Sequence, residues 1–180
     1  MIAILRLAIA TVLIVLATLA MAPLQLYAMH FHRGLARRLP LMWHRMALRL
    51  VGVQVHVRGE IPARRPLLIV ANHISWSDIL ILGSVMELCF IAKAEVRTWP
   101  VFSLLALLQR TVFISREARR QSHIQAGTIA ERLFEGDAMV LFAEGTTGDG
   151  LRVGPFKSAL FGAVHEALKT ALHSHGTVQP

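Results

Sequence analysis

One run of 23 residues without a formal charge, Leu7 to Met29 (LAIATVLIVLATLAMAPLQLYAM), constrains this chain more than any other stretch. As a helix it is longer than the roughly 20 residues that cross the hydrocarbon of a bilayer, so a transmembrane helix is expected over residues 7–29. Pro23 falls near the end of the run, where a kink or a stop is tolerated. A cleaved leader is the competing reading, because Ala20-Met21-Ala22 imitates a small-x-small cleavage site. Against it, the run is longer than a leader's apolar core, and Pro23 would directly follow the cut. Arg6 alone precedes the run as a cation, whereas Arg33, Arg37, Arg38, Arg45 and Arg49 follow it. The positive-inside rule then predicts a single-pass anchor with the remainder on the cytoplasmic face, which in a bacterium is that of the inner membrane.

The stretch PLMWHRMALRLVG places Arg45 and Arg49 one helical step of four apart among Leu41, Met42, Trp43, Met46, Leu48 and Leu50. It reads as a basic interfacial helix over 41–50, attracted to an anionic membrane surface; the basic solvated face of an ordinary core helix is the other reading. The net charge of +8 suits such a surface and also an acidic carrier protein. No nucleic-acid-binding module accompanies the charge, so nucleic acid is not an expected partner. Residues 1–50 are thus expected to form a membrane anchor and residues 51–180 one domain, long enough for a core of its own. The single cysteine, Cys89, can form no disulfide within the chain and agrees with a reducing compartment.

Beyond the anchor, strand-like and helix-like segments alternate. VQVHVRG (53–59) has valine at every second position and predicts a half-buried strand. LLIVA predicts a strand buried on both faces, DILILGSVM a helix, CFIAKAEV a strand, WPVFSLLALLQ a helix and TVFISR a strand. Ala126, Ile129, Ala130, Leu133 and Phe134 then fall on one face of a helix that Gly136 is suited to cap, and AMVLFA predicts a further buried strand. The order argues for an α/β fold with a largely parallel central sheet flanked by helices. In such sheets ligands gather beyond the carboxyl ends of the strands, so Asn72-His73 and Glu144-Gly145-Thr146, each directly after a predicted strand, are expected to share one crevice.

His73 and Asp78 would lie about 140° apart on a regular helix, at 100° per residue. They can face each other only if His73 precedes the helix and the chain turns through Ser75-Trp76-Ser77, where two N-cap residue types stand. Asp78 could then fix the imidazole tautomer and make His73 a general base towards a hydroxyl. The plainer reading is that His73 packs while Asp78 opens a helix, as acids commonly do. The loop EGTTGDG could bind an anion through its backbone amides, Arg116 could pair with a phosphate or carboxylate, and Lys157 sits among aromatic residues. A serine triad through Ser75 is disfavoured by the missing G-x-S-x-G elbow. A metal site is not expected either, since HFH (30–32) and HSH (173–175) lack companion ligands at suitable spacing.

Taken together, NHISWSD, KAEV, VFISR, FAEGTT and PFKSALF resemble, in order, the blocks of the membrane-bound glycerolipid acyltransferases, the family of the lysophosphatidate acyltransferases. The resemblance covers roughly residue 50 to the end. It implies that His73 is the general base and Asp78 its orienting partner. It also implies that Arg116, Glu144, Gly145, Thr146 and Lys157 bind or frame the acceptor. Ser115 replaces the usual Asp and Ala143 the usual Pro, and Thr147 stands where an arginine that holds glycerol phosphate is common. EGTTGDG followed by GPFKSALFGA looks closer to the branch that acylates lyso-ornithine lipid.

The implied reaction is O-acyl transfer from a thioester, on acyl carrier protein or coenzyme A, to the free hydroxyl of a membrane lysolipid. The acceptor would be lyso-ornithine lipid or 1-acylglycerol-3-phosphate, and no metal or other cofactor is expected. Two other readings start from the same residues: an inactive, lipid-binding member and a His/Asp lipid ester hydrolase. TVQP resembles the start of the family's fourth block, so a C-terminally truncated domain is expected.

Overall fold

The computed structural model describes residues 2–114 and 119–156, with the backbone alone for 119–126. They fall into two compact units. One comprises the described residues up to Glu60 together with Trp76–Leu88, the other Ile61–Ser75 and the described residues from Cys89 onward.

The first unit is helical. Helix α1 (Ile2–Phe31) takes in the whole uncharged run, and α2 (Arg33–Val51) begins eight residues before the predicted interfacial helix. His32 alone separates them, and the two run back along each other. The Gln25 side-chain amide donates to the Ala36 carbonyl at 3.0 Å, and the Trp43 indole N–H to the Thr18 hydroxyl at 2.9 Å. At the far end, Arg6 approaches Gly52 so closely that a Cβ there would lie 2.9 Å from the guanidinium. Small residues make the turn possible, with Ala28 and Ala36 buried between the helices beside Leu39. α1 otherwise stays bare: in its most apolar window only 6% of residues are buried, and it is the one described helix long and apolar enough to cross a membrane.

α3 (Ser77–Val85) packs on α2. Arg45 of α2 caps its C-terminus, donating to the carbonyls of Ser84 (2.8 Å) and Val85 (3.3 Å), where a cation complements the orphan carbonyls and the helix dipole. The ring of buried His44 lies on Gly83, and any Cβ at that position would overlap it.

The second unit is an α/β sheet, as expected. Among the described residues, four parallel strands, β1 (Leu67–Ala71), β2 (Cys89–Lys93), β3 (Val112–Ile114) and β4 (Ala138–Phe142), stand in the order β1-β4-β2-β3. A 3-10 turn (Ala94–Thr98) and α4 (Phe102–Leu108) link β2 to β3, and α5 (Arg119–Phe134) precedes β4. α5 lays Ile129, Ala130 and Leu133 against Cys89, Ile91, Val112, Ile114, Met139 and Leu141, and all nine are buried. Phe134, predicted on that face, is 40% exposed. α5 ends as predicted at Gly136 (φ 86°), with the Gly136 and Asp137 N–H groups closing on the Leu133 and Arg132 carbonyls.

Two local expectations fail. VQVHVRG forms no strand: alternation selects which residues share a face but supplies no neighbouring ladder, and Val53 and Val57 are exposed. β1, read as buried on both faces, has a ladder partner on one side among the described residues, and its Val70 is 41% exposed. An all-apolar run does not distinguish an edge strand from a central one.

Candidate functional site

β1 and β4 are neighbours in register, with Ala71 opposite Phe142. The pairing extends one step further through the Ala143 N–H to the Ala71 carbonyl, 3.1 Å. His73 and Glu144 each follow by two residues, so they leave the sheet side by side at the carboxyl ends of adjacent strands. Their 71-residue separation is closed by topology, and the two residues meet at one edge of the sheet.

The contact runs through the backbone of His73. Its N–H donates to Glu144 Oε1 at 2.9 Å, and its carbonyl accepts from the Gly148 N–H at 2.7 Å. The half-buried imidazole stacks on Phe142, with ring centroids 4.0 Å apart and planes 17° from parallel. Phe142 in turn faces Phe90 across the sheet at 6.0 Å, so a column of three rings rises from β2 to the histidine.

Glu144 is 5% exposed. Its second oxygen, Oε2, accepts the Gly154 N–H at 2.9 Å. The loop from Ala143 to Gly154 therefore folds over its own first acidic side chain. Space is tight: a Cβ on Gly154 would come 2.7 Å from Oε2, and one on Gly148 would come 3.3 Å from it. Gly145 turns at φ 68°, its N–H on the Phe142 carbonyl at 3.0 Å. Thr146 and Thr147 are exposed on the loop. Asp149 Oδ1 accepts the N–H groups of Leu151 (2.9 Å) and Arg152 (3.4 Å), fixing the following turn.

Of the residues singled out in the sequence, His73, Glu144, Gly145 and Thr146 thus lie together. Asp78 occupies the first turn of α3, in the helical unit. Arg116 and Lys157 lie outside the described residues. Sequence reasoning missed Phe142, Gly148 and Gly154, which hold the imidazole, the His73 carbonyl and the Glu144 carboxylate. Equal offsets of His73 and Glu144 from two paired strand ends were the available signal, but the pairing partner of each strand was not readable from the residues.

Residues 52–180 match the family model named Acyltransferase. The chain belongs to this acyltransferase family. A lyso-ornithine lipid O-acyltransferase of Brucella abortus (strain 2308) is 50% identical over 163 residues, covering 91% of this chain and 61% of the relative. The protein of the same name from Rhizobium meliloti (strain 1021) is 44% identical over 175 residues, covering 97% and 60%. A 1-acyl-sn-glycerol-3-phosphate acyltransferase of Neisseria meningitidis serogroup B is 39% identical over 101 residues, covering 56% and 40%. The chain thus spans about three fifths of the length of the two lyso-ornithine lipid relatives. Among solved structures, the 1-acyl-sn-glycerophosphate acyltransferase PlsC of Thermotoga maritima superposes with a TM-score of 0.64 at 24% identity, over 93% of this chain and 71% of that one. At that identity the likeness is one of fold.

Proposed function

We propose that this acyltransferase moves a fatty acyl group from an acyl thioester to the free hydroxyl of a membrane lysolipid. The observation that carries the reading is the half-buried His73 imidazole, raised on Phe142 at the carboxyl edge of a parallel sheet, with both backbone polar groups of His73 tied to the loop that follows β4. A base held in that way is pre-oriented for proton transfer. His73 takes the proton of the lysolipid hydroxyl as its oxygen attacks the thioester carbonyl. The tetrahedral intermediate then collapses, the C–S bond breaks, and the thiolate leaves with the proton that His73 had accepted. Asp78 serves as the partner that stabilises the imidazolium, and Arg116, Thr146 and Lys157 bind the acceptor, roles carried over from the matching motifs. The donor is acyl carrier protein or coenzyme A, and the reaction draws on no metal or redox group.

Lyso-ornithine lipid is the favoured acceptor over 1-acylglycerol-3-phosphate. Two relatives of 44% and 50% identity bear that name, and the exposed Thr147 offers no charge to a phosphate. Helix α1 anchors the chain, and the five arginines of α2 keep the remainder on the cytoplasmic face, against anionic lipid.

The test offers labelled acyl carrier protein or coenzyme A thioester to purified protein in lipid micelles, with either lysolipid or with neither. Acyl transfer to lyso-ornithine lipid, lost by at least about 100-fold in His73→Ala, is the expected result. Transfer that survives His73→Ala overturns the assignment of the base. Release of free fatty acid with no lysolipid present makes the protein a hydrolase instead.

A further inference from the structure

Glu144 falls in a stretch that would ordinarily be assigned to contact with the acceptor, yet each of its carboxylate oxygens already takes a backbone N–H. One is that of His73 itself at 2.9 Å and the other that of Gly154 at 2.9 Å, with the side chain 95% out of reach of solvent. The same loop closes on His73 a second time, through the Gly148 N–H and the His73 carbonyl at 2.7 Å. From these contacts we infer that Glu144 is a positioning residue for His73: it staples the peptide before the imidazole to the loop after β4 and does not touch the acceptor. This rests on the proposed role of His73 and deepens it.

Three physical points support the assignment. First, a parallel ladder would end at Ala71–Ala143, leaving the His73 N–H without a strand partner; Glu144 supplies the acceptor to this half-buried amide, a hydrogen bond to a charged group. Second, a buried carboxylate that spends its oxygens on two amides holds those amides at fixed separation, so the loop and the histidine move as one piece. Third, glycine at 148 and 154 is what admits the side chain. A Cβ at Gly154 would sit 2.7 Å from Oε2, well inside contact distance, so the enclosure has no room for a lysolipid head group between Glu144 and the backbone. Acceptor recognition is thereby left to groups that face outward, such as the exposed Thr146.

Glu144→Gln preserves shape but presents an N–H₂ to one of the two donors. The full chain in micelles is read in two ways. Amide hydrogen exchange at His73 and Gly154, followed by NMR, needs no turnover. It is expected to speed up by about tenfold or more in the variant, the change that corresponds to losing one net hydrogen bond. Where the chain turns over, kcat is expected to fall by about 100-fold, the cost of displacing a catalytic group by about 1 Å, with the KM for lysolipid within about threefold of wild type. Gly154→Ala, which crowds the same oxygen from outside and removes no polar group, is expected to reproduce both signatures and serves should Glu144→Gln fail to fold. Unchanged exchange at His73 in both variants, or a KM raised tenfold with kcat intact, overturns the inference and returns Glu144 to the acceptor. A wild-type chain that shows the protected His73 amide and its loss in both variants, but no acyl transfer, refutes the proposed reaction while leaving the staple standing.

Discussion

Strand β4 carries a buried carboxylate just before its first residue and another just after its last, and the two are satisfied in opposite ways. Asp137, 3% exposed, takes the Arg132 Nε at 2.6 Å and an Arg110 Nη at 2.8 Å on the same oxygen. Glu144 takes two neutral backbone amides on different oxygens. The first is a charge cluster at the amino ends of the strands, where α5 turns into β4, and it tolerates imperfection: Arg132 Nη2 is buried with no hydrogen-bond partner among the described residues. The second is a cradle that reads geometry at the opposite edge, beside the imidazole. The charge cluster locks the sheet to its helix, whereas the cradle sets where one side chain points. Stability and function should therefore respond to the two carboxylates in inverse proportion.

The largest effect is expected at the first end. Asp137→Ala leaves two largely buried guanidiniums facing each other, and unfolding in urea should show a loss of about 3–5 kcal/mol. Any acyl transfer that remains in the fraction still folded should keep its kcat.

The same end should show a pH dependence. Burial pushes the Cys89 thiol up to about 11, only partly opposed by Arg132, and its Sγ lies 3.5 Å from the Ala138 carbonyl, as a neutral S–H donor would. Against an unfolded value of 9.0, the unfolded chain releases its proton first, so between those values it binds fewer protons than the native one. Stability is therefore full below pH 9 and falls by about 2–3 kcal/mol towards pH 11. Cys89→Ala should flatten that part of the curve, and a slope unchanged by the substitution would remove Cys89 from the account.

At the second end the expectation inverts. Glu144→Gln should cost only about 1–2 kcal/mol in urea while acyl transfer collapses, because one displaced amide is a modest loss to the fold and a large one to a pre-oriented base. A stability loss as large as that of Asp137→Ala would erase the contrast. Smallest of all, Asp149→Ala in the same loop, whose carboxylate is exposed, should change stability by no more than about 0.5 kcal/mol and leave His73 exchange untouched.

Much of this architecture was legible in the residues. LLIVA and AMVLFA announced strands and the histidine and glutamate that follow them announced a shared edge, because apolar runs stopped by polar residues mark the ends of a parallel sheet. What could not be read was adjacency. Nothing in LLIVA says that β4, not β2, lies beside it, yet this pairing brings His73 to Glu144. Nothing in the helix-capping Gly136-Asp137 says that Arg110, on the turn before β3, will meet the aspartate. The regular valines of residues 53–57 show the converse, a local pattern fit for a strand that finds no neighbour. The role of Glu144 was hidden for a third reason: its partners are backbone amides, which every residue carries and no sequence displays.

The way α1 and α2 are zipped together bears on how deeply this protein can sit in a lipid film. The uncharged run does not travel alone, since Thr18 is fastened to Trp43 and Gln25 to the backbone of Ala36, and Arg37, Arg38 and Arg45 are carried along beside them. Pulling α1 across both leaflets would drag those cations towards the middle of the film, at about 2.5–3.5 kcal/mol for each one that arrived there. A pose confined to one leaflet, with the guanidiniums at the level of the lipid phosphates, would incur none of that cost. Whichever placement holds, the second helix travels with the first, and its arginines set what each step of depth would cost.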